Sequence, residues 1–141
     1  FSIAITDWID SFKKRYPSRL VNESIAPNMS ILGEPLLLEL LFNNLLENAN
    51  KYTKNDLPID VIVSGEGARV TLKVIDQGSG IPVAEKNKIF EKFYRIGNED
   101  TRKSKGTGLG LYLCRKIAEF HNASLYYQPN TPQGSQFIFT I

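Results

Sequence analysis

Leu36-Leu37-Leu38-Glu39-Leu40-Leu41-Phe42-Asn43-Asn44-Leu45-Leu46-Glu47-Asn48-Ala49-Asn50-Lys51-Tyr52 changes chemical character half-way along without losing its period. At about 100° per residue the stretch makes one helix, with Leu38, Leu41, Phe42, Leu45 and Ala49 pointing one way. Asn44, Glu47, Asn48 and Lys51 point another way, three and four residues apart. Asparagine is a mediocre helix former, so amides repeated on one helical face need a local reason. A neutral amide oxygen can ligate a hard divalent cation whose other ligands are water and phosphate, and a lysine one turn on can neutralise phosphate charge. A solvated polar face opposite a core stripe accounts for the same residues.

Working outward, Ile5, Trp8, Ile9 and Phe12 predict an amphipathic helix over residues 5–15, capped by Thr6 or Asp7 and stopped by Pro17. Leu20 to Ile25 alternates as a strand, Met29 to Leu32 can add a short second one, and the long helix starts near Glu34 and ends by Asn55. Ile59 to Val63 and Arg69 to Ile75 are β-branched and alternating, joined by Gly65-Glu66-Gly67 as a hairpin turn. From Asp76 to Gly110 the chain is glycine-rich and charged, with little apolar periodicity beyond Ile89, Phe90 and Phe93. A loop of about 25 residues without clear structure is unusual inside a compact domain and is commonly a functional lid. Leu109 to Phe120 restores a helix with Leu113, Ile117 and Phe120 as its stripe. Strands follow near 124–128 and 136–141, joined by a loop carrying Pro129, Pro132 and Gly134. The pattern predicts an α+β fold: a two-layer α/β sandwich, with a mixed, mostly antiparallel sheet and three main helices on one face.

The 141 residues suffice for one domain with a real core and are too few for two ordinary ones. Apolar content of 42% and charged content of 23% exclude a disordered chain, and a net charge of +2 gives no case for nucleic acid or a membrane surface. The single cysteine, Cys114, excludes an internal disulfide framework; its helical position fits a small buried apolar residue and a reducing, cytoplasmic setting. No apolar run reaches the length of a bilayer span, and the N-terminus lacks a signal-peptide pattern. The chain opens Phe1-Ser2-Ile3 without a methionine, so a fragment of a longer protein is expected.

Three further stretches carry chemistry. Asp76-Gln77-Gly78-Ser79-Gly80-Ile81-Pro82 comes directly off a strand. Its spaced glycines let the backbone approach a flat ligand, and its carboxylate can accept a hydrogen bond from an exocyclic amine such as that of adenine. An ordinary Asp-Gly turn is the alternative. Gly106-Thr107-Gly108-Leu109-Gly110-Leu111 opens a helix, where exposed N–H groups at the positive dipole end suit phosphates. It is not a Walker loop, because no Gly-Lys-Ser/Thr follows, nor does it open the first βα unit of a doubly wound sheet. A flexible hinge with tight helix packing is its plain reading. In Ile89-Phe90-Glu91-Lys92-Phe93-Tyr94-Arg95 the aromatics three apart pack on one helical turn, as a clasp for a surface loop, and carry Arg95 beyond them.

These blocks, Asn44 to Tyr52, Asp76 to Pro82, Ile89 to Arg95 and Gly106 to Leu111, resemble in order and spacing the N, G1, F and G2 boxes of the catalytic ATP-binding domain of sensor histidine kinases. The resemblance runs from about Thr6 to the C-terminus and implies the Bergerat fold, shared with type II topoisomerases, Hsp90 and mismatch-repair ATPases, with a mobile ATP lid. It implies Mg²⁺ held by Asn48, with Asn44 shaping the metal site, and Lys51 and Tyr52 on phosphates and ribose. Asp76 matches the aspartate that bonds the adenine amino group, with Gly78 and Gly80 allowing close approach. Phe90 and Phe93 resemble the lid anchors, Arg95 an arginine that assists phosphoryl transfer, and Gly106, Gly108 and Gly110 the glycines along the triphosphate. Ile81, Lys105, Thr107, Leu109 and Leu111 are counted with them as nucleotide-binding residues. Gly33-Glu34 departs from the Asp often found before the N-box helix, and Asn122-Ala123 from the Gly-Gly that often follows the last helix.

By this resemblance the chain is one catalytic domain, residues 1–141, which binds ATP and Mg²⁺ and passes the γ-phosphoryl group to a histidine. That histidine is expected upstream, on a dimerisation/phosphoacceptor domain of the same polypeptide, with a response regulator downstream. The domain is expected in the cytoplasm, without nucleic acid or direct membrane contact, whether or not its parent is anchored in the inner membrane. Two other functions compete: a Bergerat ATPase used as a conformational switch, and a binding-only module. Hydrolysis in such relatives needs a carboxylate one turn before the metal Asn, where this chain has Asn44. His121, the only histidine, stands in the last turn of a helix, where the dipole favours it, and nearly 18 Å from the helix start at about 1.5 Å per residue. It is therefore not expected to be the phosphoacceptor.

Overall fold

The computed structural model describes residues 1–97 and 107–141. Helix α1, Ser2–Arg15, buries Ile5, Ile9 and Phe12 and ends on Lys13, Lys14 and Arg15, cations suited to a negative dipole end. It begins earlier than the sequence predicts, because its first turn is held from outside. The N-terminal ammonium donates to the Met29 carbonyl (2.7 Å), while the Ser2 hydroxyl donates to the Ala26 carbonyl (2.7 Å) and accepts from the Met29 N–H (2.9 Å). Thr6 is consequently interior, its hydroxyl bonded back to the Ser2 carbonyl, and caps nothing. The same bonds use both backbone groups of Met29, so the short strand expected at 29–32 does not form.

The sheet runs in the order β1 (Val21–Ile25), β2 (Ile59–Glu66), β3 (Arg69–Asp76), β5 (Ser135–Thr140), β4 (Ser124–Pro129). Only β1–β2 is parallel, as the crossover through helix α2, Pro35–Tyr52, requires; the other pairs are antiparallel. The β2–β3 turn is one pair tighter than predicted: Glu66 pairs with Arg69, leaving Gly67 (φ 61°) and Ala68 as a two-residue loop. One face of the sheet is dry. Ile59, Val61, Val63, Val70, Leu72, Val74, Leu125, Phe137 and Phe139 are buried in a common core with Leu38, Leu41, Phe42, Leu45, Leu46 and Ala49 of α2.

Helix α3, Gly110–Phe120, packs through Cys114, Ile117 and Ala118, with Leu111 half-buried at its start. Leu113 and Phe120 of the predicted stripe are exposed instead, since the buried row is the neighbouring one at 111, 114, 117 and 118. Burial pushes the Cys114 thiol up to about 12, and its S–H reaches the Leu41 carbonyl. His121 follows α3 and crosses to the start of α2. Its Nδ1 lies 2.7 Å from the Ile117 carbonyl and its Nε2 accepts the Glu34 N–H at 3.0 Å, the arrangement of a neutral ring protonated on Nδ1. A Cβ at Gly33 would lie 2.7 Å from that ring. Thus Gly33-Glu34 admits an imidazole to the beginning of α2, where no side chain of α2's own N-cap bonds. Among the described residues no helix is long and apolar enough to cross a membrane.

Candidate functional site

Along β3 the core-facing residues are Val70, Leu72 and Val74, and strand alternation makes Asp76 the next on that face. A carboxylate therefore ends in the layer between helices and sheet, 2% exposed. Its Oδ1 accepts the N–H of Gly78 (2.8 Å) and of Ser135 (3.2 Å), while Oδ2 has no hydrogen-bond partner among the described residues. Burial raises its pKa above the usual carboxylate value, and the two N–H bonds partly offset this. The loop beyond is fitted on two sides. A Cβ at Gly78 would lie 2.7 Å from the Tyr52 carbonyl oxygen, and one at Gly134, whose φ is 108°, would lie 2.0 Å from the Asp76 carbonyl oxygen. Asn130 Nδ2 donates to that carbonyl at 3.2 Å, and the Ile81 N–H donates to the Tyr127 hydroxyl at 3.3 Å. Gly80 takes φ 74° against Gly134.

Beside this loop stands the polar face of α2. Asn48 is half-buried and its amide makes no hydrogen bond among the described residues. Asn44 Nδ2 donates to the Leu40 carbonyl (2.8 Å), which turns Oδ1 toward α3, 3.1 Å from where a Gly110 Cβ would be. Glu47 looks away from both, with Oε1 on Arg15 Nη1 and Oε2 on the Tyr16 hydroxyl, each at 2.8 Å. Lys51 and Tyr52 are exposed in the last turn, with the ammonium 5.3 Å from the Tyr52 ring centroid. No cluster of three His, Cys, Asp or Glu able to hold a metal occurs among the described residues. The unpartnered Asn48 amide suits a hard cation that brings phosphate and water as its other ligands.

Between loop and α3, Val83–Glu85 forms a single 3₁₀ turn. Phe90 is buried edge-on against Phe137, with the Arg115 guanidinium 3.8 Å over its ring. Phe93 does not share that face, contrary to expectation: it is 63% exposed, and its φ of 64° breaks the helical turn that would have stacked the two rings. It is instead a backbone joint, since the Phe93 N–H donates to the Gly108 carbonyl (3.0 Å) and a Cβ at Gly108 would lie 2.6 Å from Phe93 C. Arg95 is half-buried just beyond. Gly108 (φ 71°) and Gly110 are thus glycines of close packing, whichever ligand they also meet, and Leu109 sits at the N-cap of α3. Thr107 is exposed and Leu111 half-buried. Lys105, Gly106 and most of the expected lid, residues 98–106, lie outside the described residues.

The loop of Asp76, Gly78, Gly80 and Ile81 meets α2 where the Tyr52 carbonyl lies against Gly78, with Asn48 and Lys51 on the same helix; Asn44 faces Gly110 at the start of α3, and Phe93 joins Gly108 just before it. Sequence reasoning missed Ser135, Asn130, Gly134 and Arg115. Asn130 and Ser135 bond Asp76 from 54 and 59 residues away, Gly134 packs on the same segment and Arg115 covers the Phe90 ring, and the only local signal was a Gly-Ser just before a strand.

Fold and site together define a two-layer α/β sandwich of the Bergerat kind, with a buried carboxylate at the end of a central strand. The family model described as histidine kinase-, DNA gyrase B-, and HSP90-like ATPase matches residues 33–141, and the chain belongs to that family. Within it, the relatives are sensor kinases. Sensor protein CiaH of Streptococcus pneumoniae is 38% identical over 112 residues, covering 79% of this chain and 25% of CiaH. Sensor protein kinase WalK of Staphylococcus saprophyticus is 36% identical over 110 residues, covering 77% of this chain and 18% of WalK. The chain therefore spans a quarter or less of these relatives. The nucleotide-free catalytic domain of histidine kinase ThkA superposes with a TM-score of 0.85 at 26% identity, covering 100% of this chain and 91% of that one.

Proposed function

We propose that this chain binds ATP with Mg²⁺ and transfers the γ-phosphoryl group to a histidine on a separate dimerisation/phosphoacceptor domain, which then serves a response regulator in two-component signalling. The observation that carries the reading is the Asp76 carboxylate. Its Oδ1 is fixed by two backbone N–H groups, which leaves Oδ2, in a residue only 2% exposed, as an acceptor without a protein donor among the described residues. An acceptor at so nearly closed a position gains from a donor brought by a ligand. The adenine amino group supplies that donor, and the absent Cβ at Gly78 lets the Tyr52 carbonyl and Asp76 Oδ1 close on the loop that aims the carboxylate. Mg²⁺, when bound, offsets charge on the phosphate oxygens. Asn48 would hold it, with the Asn44 oxygen near the start of α3, while Lys51 adds positive charge in the last turn of α2. Arg95, carried past the Phe93–Gly108 joint, is assigned to the charge that develops on the transferred group.

The hydrolytic switch is the weaker reading. A water needs a base one turn before Asn48, and Asn44 there has its amide nitrogen tied to the Leu40 carbonyl. Glu47 is about 100° round the helix and both its oxygens are engaged. His121 does not serve as acceptor: both ring nitrogens are used, and it stands with Ala68 and Ile141 at the end of β3 remote from Asp76. Calorimetric titration with ATP and with GTP tests the adenine assignment. GTP presents a carbonyl where ATP has its amino group, so ATP should bind and GTP should not; equal affinities contradict the role of Asp76.

A further inference from the structure

Arg19 precedes β1 and is only 7% exposed, a place a guanidinium seldom takes without partners. Its donors all turn to one target, the end of α2 and the turn that follows. Nε donates to Asn50 Oδ1 (2.7 Å), and Nη1 to the carbonyls of Lys54 (2.6 Å) and Leu57 (3.2 Å). Nη2 donates to the carbonyls of Asn50 (3.1 Å) and Thr53 (2.9 Å) and to Asn55 Oδ1 (3.2 Å). No carboxylate forms an ion pair with it among the described residues; it is a cation held by the carbonyls at the negative end of a helix dipole.

The turn it grips carries Lys51 and Tyr52. The Tyr52 carbonyl is the atom that presses on Gly78, and the Gly78 N–H fixes Oδ1 of Asp76. We propose that Arg19 is a positioning residue for nucleotide binding: by clamping the last turn of α2 it sets the Tyr52–Gly78 contact, and through it the aim of the Asp76 carboxylate. The proposal rests on the reading of Asp76 as the adenine acceptor. Arg19 touches no ligand itself, and it acts on the adenine end of the site rather than through its charge.

The test measures the affinity of the 141-residue chain for ATP and for adenosine, with thermal unfolding followed on the same samples, in the wild type, Arg19→Lys and Arg19→Met. All titrations are made well below the unfolding midpoint of the variant concerned. Arg19→Met should weaken ATP and adenosine alike, by about tenfold. Arg19→Lys, which keeps the charge but can make at most three bonds, should fall between and remain measurable if the methionine variant does not fold. Loss of ATP affinity with adenosine unchanged assigns the effect to long-range charge and overturns the proposal. Unchanged affinity for both ligands in a variant with a lowered midpoint makes Arg19 a purely structural clamp and also overturns it. A wild type that binds neither ligand removes the adenine reading itself, separately from any effect of Arg19.

Discussion

Replacing Asp76 with asparagine changes one atom at the centre of the site and almost nothing around it. The amide oxygen can keep both N–H bonds, from Gly78 and Ser135, because each is accepted by the single oxygen Oδ1. The amide nitrogen then takes the place of Oδ2 and turns an acceptor into a donor facing the adenine amino group. Losing such a buried pairing costs about 2–4 kcal/mol, or roughly 30-fold to 900-fold in Kd. Stability should move the other way. The folded-state pKa of Asp76 is raised above 3.8 by burial, so above that raised value the ionised side chain costs the fold stability, a cost absent below the unfolded pKa. Asparagine removes it, and the unfolding midpoint at neutral pH should be unchanged or higher. Calorimetric titration and differential scanning calorimetry on one preparation read both quantities. An unchanged Kd in the folded variant refutes the adenine role, and a lost Kd with a collapsed midpoint would make Asp76 a structural residue.

The same titration has a pH signature: ATP affinity of the wild type should fall as pH is lowered through the raised Asp76 pKa, whereas in Asp76→Asn that component should be absent. Asn48→Ala should abolish the difference between ATP titrations made with and without Mg²⁺, because the metal loses its amide ligand while the phosphate oxygens remain; a difference as large as in the parent would exclude Asn48. Gly78→Ala places a Cβ 2.7 Å from the Tyr52 carbonyl oxygen and 3.0 Å from Asp76 Oδ1. It should cost about 1–3 kcal/mol in chemical denaturation and weaken ATP as well. His121→Gln removes the bridge from Ile117 to Glu34 and should lower stability by about 1 kcal/mol. It should leave ATP affinity and phosphotransfer within about twofold, as measured side by side with the parent.

The elements were legible wherever one face decides them. The leucines of α2 and the alternation of β2 and β3 are local, periodic and strongly apolar, and the structure keeps them. Asp76 was legible as a carboxylate at a strand end, but not that Ser135, 59 residues on, holds the same oxygen as Gly78. Arg19 carried no signal, because four of its six bonds go to backbone carbonyls that any sequence offers and the other two to the side chains of Asn50 and Asn55, 31 and 36 residues on. The stripe of α3 holds at Ile117 but not at Leu113 and Phe120, which match a helical period as well as Cys114 and Ala118 do, and composition does not say which row meets α2. Phe90 and Phe93 were read as a stacked pair on spacing alone, and the left-handed backbone at Phe93 depends on its joint with Gly108. The departure at Gly33-Glu34 became intelligible only with His121, 87 residues from Glu34, in place at the start of α2.

The function proposed above makes this chain the kinase half of a transfer whose acceptor lies elsewhere. Incubating it with Mg²⁺ and ATP radiolabelled in the γ-phosphate, with and without a separately supplied dimerisation/phosphoacceptor domain from a sensor kinase relative, addresses this directly. Acid-labile, base-stable label should appear on the acceptor domain and be lost when its histidine is replaced, with none on the chain alone. Label on the isolated chain that vanishes in His121→Gln, or stoichiometric release of inorganic phosphate without transfer, would contradict the account.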